Sequence, residues 1–129
     1  YQKRFSGPLL DRVDLYVEMR RLKKEEIFSE KLSESSEKIK ERVIKARQLQ
    51  KKRYKSNMLN FQMNRNQISK YCELDKESKE VLEKAIDSLK LSVRMYDKIL
   101  KISRTISDLD NSEKIKINHL LEALNYRKK

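Results

Sequence analysis

The residues that could carry chemistry in this sequence are few, and no group of them can run a reaction alone. The chain of 129 residues has one histidine, His119, and one cysteine, Cys72. Paired zinc ligands and a Cys–His dyad therefore cannot be built from their spacing. A single glycine excludes the glycine-rich phosphate loop of P-loop ATPases. We expect no metal site, a structural or surface role for His119, and a Cys72 that packs as a small hydrophobe.

Two arginines have settings that suit a phosphate group. Arg12 lies just ahead of a predicted strand, where a guanidinium with a fixed charge and a planar fork could reach across a subunit boundary. Arg94 falls in the first turn of a predicted helix, near the positive end of the helix dipole. Spacing alone does not separate either residue from an ordinary surface arginine, so both interpretations stay open.

A run of basic residues between positions 38 and 55 is the third candidate. Nine lysines and arginines stand there, and Glu37 and Glu41 are the acidic residues nearby. The net charge of +12 makes an anionic partner plausible: nucleic acid, a nucleotide phosphate or an acidic protein surface. The nucleic-acid candidates are Lys45, Arg47, Lys51, Lys52 and Arg53. A solvated surface helix would have the same pattern, because these charges spread around the helix instead of sharing one face.

The composition favours helices as the elements that position these side chains. Charged residues make up 40% of the chain, and glycine and proline occur once each. Helical spacing of apolar residues predicts a helix that begins in the cluster 33–37 and ends near Arg53, a short helix through Ile68, and helices that begin at Asp75, at Ser92 and after the turn 110–112. The stretch 57–66 should be an irregular loop that packs Met58, Leu59, Phe61 and Met63 onto the core. We predict an all-α fold with a compact four-helix bundle.

The first residues differ from this helical part. Alternation over 14–18 places Leu15 and Val17 on one face and predicts a short strand. One strand needs a sheet that this chain lacks, which favours a piece of a larger domain. We divide the chain into 1–18, a remnant of that domain, a connector over 19–33, and a helical domain over 34–129. No apolar run approaches a membrane span and no signal peptide is recognised, so we expect a cytoplasmic protein.

Three segments resemble AAA+ ATPases of the magnesium-chelatase-like ComM/YifB family. The first is YQKRFSGPLLDRVDL at 1–15, which is similar to the string that closes the AAA+ core in that family. The second is LSVRMYDKILKISRTISDL at 91–109, and the third is the HL-x-EA-x-x-YR pattern at 119–127. Lys98 stands where the family usually has Arg, and Asp97 where it often has His. The resemblance covers essentially the whole chain and implies the C-terminal lid of such an ATPase.

The resemblance also implies roles for individual residues. Arg12 corresponds to the arginine finger that acts on a neighbouring subunit's ATP, with Asp11 beside it and Arg4 as a weaker candidate at the same interface. Arg94 corresponds to the sensor-2 arginine, which contacts the γ-phosphate of the chain's own nucleotide. The complete protein would use ATP and Mg²⁺, form a homo-hexameric ring with its own AAA+ core, and process DNA as a helicase-like motor in competence or recombination. Walker A and Walker B motifs are absent from this chain, so we expect no hydrolysis and no bound cofactor from it alone. We also expect no membrane partner, because no apolar run is long enough to span a membrane.

Three other functions remain open. The lid of a chelatase subunit that drives Mg²⁺ insertion into porphyrin ranks second, because such subunits typically have PQLLDRFG where this chain has SGPLLDRVD at 6–14. A stand-alone basic helical module that binds nucleic acid would explain the charge. A purely structural or oligomerisation domain is the last alternative.

Overall fold

The computed structural model describes residues 12–19 and 34–127. The expectations for Arg4 and Asp11, and for all of the 19–33 connector except Met19, fall outside these ranges. Within them the chain forms five α-helices and one 3-10 turn. The elements are α1 (Ser36–Tyr54), the 3-10 turn (Asn60–Gln62), α2 (Arg65–Tyr71), α3 (Lys76–Leu89), α4 (Val93–Leu109) and α5 (Ile117–Asn125). The predicted all-α class is confirmed, with α2 as a short helix beside the four longer ones.

The helices begin where polar side chains satisfy their first backbone N–H groups. Ser35, Asp75 and Ser92 each accept a hydrogen bond from the backbone N–H three residues later. At Asp75 this bond, made by the Ser78 backbone, holds the carboxyl pKa below its usual value. Asn64 caps α2 in the same way. The caps predicted at Asp75 and Ser92 are therefore confirmed, because capping depends on a few neighbouring residues.

Two helices end without the glycine that this geometry favours. Lys55 follows α1 with φ 52°, and Lys90 follows α3 with φ 53°. Both lie in the left-handed region, where a side chain with a Cβ costs about 1 kcal/mol relative to glycine. The chain has a single glycine, so lysine occupies both positions and the fold is destabilised by this amount at each.

The core surrounds α4. This helix packs against α1, the 3-10 turn, α2 and α5, and α3 packs against α5. The largest fully buried apolar side chains are Leu82, Ile99, Ile115 and Leu120. Burial of each such side chain stabilises the fold by about 1.5–3 kcal/mol, so α4 has a fixed orientation in the bundle.

Several expectations from the sequence are wrong in detail. The segment 13–19 has no regular secondary structure and does not form the predicted strand, because it pairs with a helix terminus instead of a sheet: the Tyr16 N–H donates to the Tyr126 carbonyl at 2.7 Å. Phe61, expected to pack onto the core, is 62% exposed, and Val93 at the start of α4 is 63% exposed. Met63 is buried as expected. Helical spacing identifies a face but not where a neighbouring helix stops covering it.

Candidate functional site

The two arginines singled out from the sequence line one concave surface, which we call the arginine cleft. Arg12 comes from the segment 12–19, and Arg94 is the second residue of α4, two positions after the cap at Ser92. The cleft has a volume of about 630 Å³. Its lining residues are Arg12, Asp14, Phe61, Val93, Arg94, Asp97, Lys98 and Lys101. Residues that lie far apart in the sequence therefore share one surface.

The charges of the cleft are unevenly matched. Asp97 pairs with Arg65 at 3.2 Å, and Asp14 with Lys98 at 3.6 Å. In contrast, Arg12 and Arg94 are exposed and make no hydrogen bond or ion pair with any residue that the structure describes. Two guanidiniums are therefore available at one site, next to a helix N-terminus whose N–H groups favour an anion.

Two further contacts build the wall of the cleft. The Lys101 ammonium donates to the Phe61 carbonyl at 2.9 Å and so ties α4 to the 3-10 turn. The Lys98 ammonium donates to the Val13 carbonyl at 3.4 Å, in addition to its pair with Asp14. Both lysines lie on the same face of α4 as Arg94, one and two turns further along the helix. The face of α4 that carries Arg94 thus also holds the neighbouring segments.

The basic candidates on α1 do not form one surface. Lys45 and Lys52 line a shallow groove on one side of the helix, and Arg47 and Lys51 line an apolar groove on the other. These four side chains are exposed. Arg53 differs, because its guanidinium turns inward and binds Asp108. The structure therefore separates Arg53 from the other four nucleic-acid candidates.

Arg53 belongs to a buried polar network that the sequence did not reveal. It forms a bidentate ion pair with Asp108, whose side chain is fully buried, and one of the two bonds measures 3.0 Å. Burial lowers the pKa of Arg53, but the Asp108 carboxylate outweighs this and raises it overall. The Asn60 amide donates to the same carboxylate at 2.9 Å. The pair joins the end of α1 to α4 and has a structural role.

Arg104 is the second guanidinium of this network, one turn before Asp108 on α4. It donates to the backbone carbonyls of Ser112 and Glu113 at 2.8 and 3.0 Å and thereby fixes the α4–α5 connection. Burial lowers its pKa, and the Arg53 charge lowers it further against the opposing effect of Asp108. An Arg and an Asp four residues apart, at positions 104 and 108 of α4, were the available sequence signal.

The lone histidine and cysteine are both buried. The Nδ1 atom of His119 accepts the Lys116 N–H at 2.9 Å, and its Nε2 atom lies 2.8 Å from an Asp110 carboxylate oxygen. His119 therefore caps the start of α5. Burial raises the pKa of Cys72 to about 11. Within the described residues, no three His, Cys, Asp or Glu side chains form a group that could hold a metal ion.

Comparison with known proteins assigns the chain to a family. Residues 33–127 match the family described as magnesium chelatase, subunit ChlI C-terminal. The chain belongs to this family. The competence protein ComM of Haemophilus influenzae is 41% identical over 128 residues, and the YifB protein of Escherichia coli is 41% identical over 129 residues. An uncharacterised protein of Mycobacterium bovis is 30% identical over 129 residues.

Membership of the magnesium chelatase C-terminal family, in its ComM/YifB group, agrees with the AAA+ lid expected from the resemblance. The family match contains Arg94 and the Arg53–Asp108 network but begins after Arg12. The alignments with ComM and YifB cover 98% of this chain and 25% of each relative. The chain therefore spans about a quarter of the length of these relatives. No helix within the described residues is long and apolar enough to cross a membrane.

Proposed function

We propose that this chain is the lid region of a Mg-ATP-dependent AAA+ ring ATPase and that it supplies two arginines to the hydrolysis of ATP. The observation that carries the proposal is the arginine cleft, where Arg12 and Arg94 lie on one surface without partners among the described residues. Guanidinium groups bind phosphate oxygens in a bidentate way and keep their charge at any physiological pH. The donor set therefore suits a phosphate.

The division of labour follows from the chemistry of phosphoryl transfer. ATP bound with Mg²⁺ on a nucleotide-binding core supplies the phosphoryl group that is transferred to water. Arg12 then stabilises the negative charge that develops on this group, and Arg94 orients the phosphate from the lid. Because both residues line one cleft, both would address the same nucleotide, held by a neighbouring subunit. This arrangement differs from the separate assignments that the resemblance implies.

Substitution of each arginine in the full-length protein tests this proposal. Arg12→Ala should lower the ATPase kcat by about 10³-fold or more, the range measured for arginine fingers, and Arg94→Ala should also lower it. Lys84→Ala removes an exposed cation of α3 outside the cleft and serves as the matched control. Normal turnover in Arg12→Ala would refute the finger assignment.

Mixed rings test whether Arg12 acts on a neighbour. Subunits that carry Arg12→Ala are combined with subunits that cannot hydrolyse their own ATP because the Walker B acid is replaced. A trans-acting arginine predicts that the mixture regains turnover, because the intact Arg12 of the second subunit reaches the ATP of the first. Activity that never exceeds the sum of the two separate proteins would contradict action in trans.

We further propose that the motor processes DNA in the cytoplasm and that α1 contributes contacts to the DNA backbone. Support comes from the four exposed cations Lys45, Arg47, Lys51 and Lys52. Each phosphate contact contributes about 0.9 to the slope of log affinity against log salt concentration. Two of them lie on each side of α1, so one DNA backbone can contact two at a time, and replacement of all four by alanine should reduce that slope by about 2. Replacement of Lys76, Lys79, Lys84 and Lys90 removes the same charge from α3 and its C-cap and is the control.

An unchanged slope in the α1 variant would remove this helix from the DNA contact and leave the ATPase proposal standing. Magnesium insertion into porphyrin remains the second candidate for the complete protein. The sequence string at 6–14 favours the DNA-processing branch over it.

A further inference from the structure

The segment 12–19 contacts α4 at Lys98. Arg12 belongs to this segment, and Arg94 belongs to the helix. The segment has no sheet partner among the described residues, and it contacts the helical bundle. One contact is the bond from the Tyr16 N–H to the Tyr126 carbonyl. A second contact is made by Lys98, four residues after Arg94 on α4.

We infer that Lys98 is the positioning residue that holds the segment 12–19 on α4 and thereby keeps Arg12 beside Arg94. Its ammonium group meets the segment twice, at the Val13 carbonyl (3.4 Å) and at the Asp14 carboxylate (3.6 Å). The side chain of Lys98 is 16% exposed, so the ammonium group is held against the segment instead of moving freely in solvent. The catalytic role of this contact rests on the proposed function. The contact itself is independent of that proposal.

The spacing of residues along α4 and along the segment 12–19 explains how this contact affects the position of Arg12. Arg94 and Lys98 are one helical turn apart, about 6 Å along the axis. Arg12 precedes Asp14 by two residues, which span at most about 7 Å. A bond between Lys98 and Asp14 therefore confines Arg12 to the neighbourhood of Arg94. The bond from the Tyr16 N–H lies four residues from Arg12 and therefore confines Arg12 less closely.

The charges show why a tether is needed. Arg12 and Arg94 are both positive and repel each other in the cleft. The ion pair between Lys98 and Asp14 carries no net charge, so it fastens the segment without adding to this repulsion. Asp97, the other acidic residue of the cleft, pairs with Arg65 instead. The ion pair between Lys98 and Asp14, one helical turn from Arg94, thus holds Arg12 near Arg94 despite their like charges.

Two variants of the full chain test the attachment without ATP. Lys98→Met keeps the methylene packing of the half-buried side chain and removes the ammonium group. Asp14→Asn keeps the shape of an exposed side chain, so it cannot prevent folding. The measurement is amide hydrogen exchange of Tyr16, whose N–H donates to Tyr126. We expect exchange to become about two- to five-fold faster in both variants, the size of one partly exposed ion pair. Lys98→Arg should restore the slow exchange.

Lys101→Met is the matched control for this measurement. It removes the same charge from the same cleft, but Lys101 binds the Phe61 carbonyl and not the segment. Its Tyr16 amide should exchange as in the wild type. Unchanged exchange in Lys98→Met and Asp14→Asn, or equally fast exchange in Lys101→Met, would overturn the inference.

The ATPase assay of the full-length protein separates this inference from the proposed function. If both are right, Lys98→Met lowers kcat by about ten-fold with little change in KM, because Arg12 is misplaced but the nucleotide still binds. Lys98→Arg recovers the rate. Fast Tyr16 exchange with unchanged kcat would support the attachment and count against Arg12 as a finger. Slow exchange with a lowered kcat would overturn the positioning role of Lys98 and would not contradict the assignment of Arg12 as the arginine finger.

Discussion

Replacement of Arg53 by methionine should destabilise the fold strongly and leave nucleic-acid binding unaffected. The guanidinium forms a bidentate pair with Asp108, whose side chain is fully buried, and also donates to the Asn60 side chain at 3.2 Å. Removal of one partner from a buried ion pair costs about 3–5 kcal/mol, since the remaining charge loses its compensation. Asp108 keeps the Asn60 amide at 2.9 Å and Arg104 at 3.5 Å. We therefore expect the lower end, about 3 kcal/mol.

Urea unfolding followed by circular dichroism measures this loss, as a lower midpoint with an unchanged slope. The same change should lower Tm by about 10 °C for a domain of this size. Lys52→Met is the matched control, because Lys52 is the preceding residue of α1 and is exposed. An exposed lysine contributes less than about 0.5 kcal/mol to stability. The free energies of unfolding of the two variants should thus differ by about 2.5 kcal/mol.

DNA affinity should change in the opposite order to stability. At a temperature where both variants are folded, Lys52→Met should bind DNA more weakly than the wild type, and Arg53→Met should bind like it. A loss of less than about 1 kcal/mol in Arg53→Met would show that the pair with Asp108 is not structural. If the folded Arg53→Met protein bound DNA more weakly than Lys52→Met, Arg53 would have to contact the nucleic acid.

Three other predictions concern stability. Burial raises the pKa of Cys72 from 9.0 to about 11, so the thiol ionises first in the unfolded chain: stability is complete below pH 9 and falls by about 2–3 kcal/mol as the pH rises to 11. Urea midpoints at several pH values should show that Cys72→Val lacks this component. Lys90→Gly should stabilise the fold by about 1 kcal/mol, because φ at this position is 53°; a lower urea midpoint would contradict this. Leu120→Ala, at a side chain with 0% exposure, should cost about 2–5 kcal/mol by calorimetry.

The local features of the fold could be predicted from the sequence. The helix starts at Asp75 and Ser92 depend on bonds to the third following residue, which the sequence contains entirely. The inward position of Arg53 could not be predicted in this way. Its partner Asp108 lies 55 residues away, and a basic residue in a basic helix is normally solvated. Long-range ion pairs of this kind need the packing of α1 on α4, which no local pattern specifies.

The limits of helical periodicity are visible at α1. Ile39 and Val43 lie on the same face as the buried Ala46 and Gln50, one and two turns earlier in the helix, yet they are 44% and 40% exposed. Helical spacing thus groups these residues on one face. The side chains of this face become buried only from Ala46 onward. How far a neighbouring element extends is a property of the whole fold.

The candidate site shows the same division between local and long-range information. Helical periodicity places Arg94, Lys98 and Lys101 on one face of α4, and Ser103 and Ser107 on the opposite face. Both serines have 0% exposure, so the packing of that face orients the other toward the cleft. The meeting of Arg94 with Arg12 requires, in addition, that the segment 12–19 bind α4 through Lys98. The sequence could indicate two arginines suited to phosphate, but only the docked segment makes them one site.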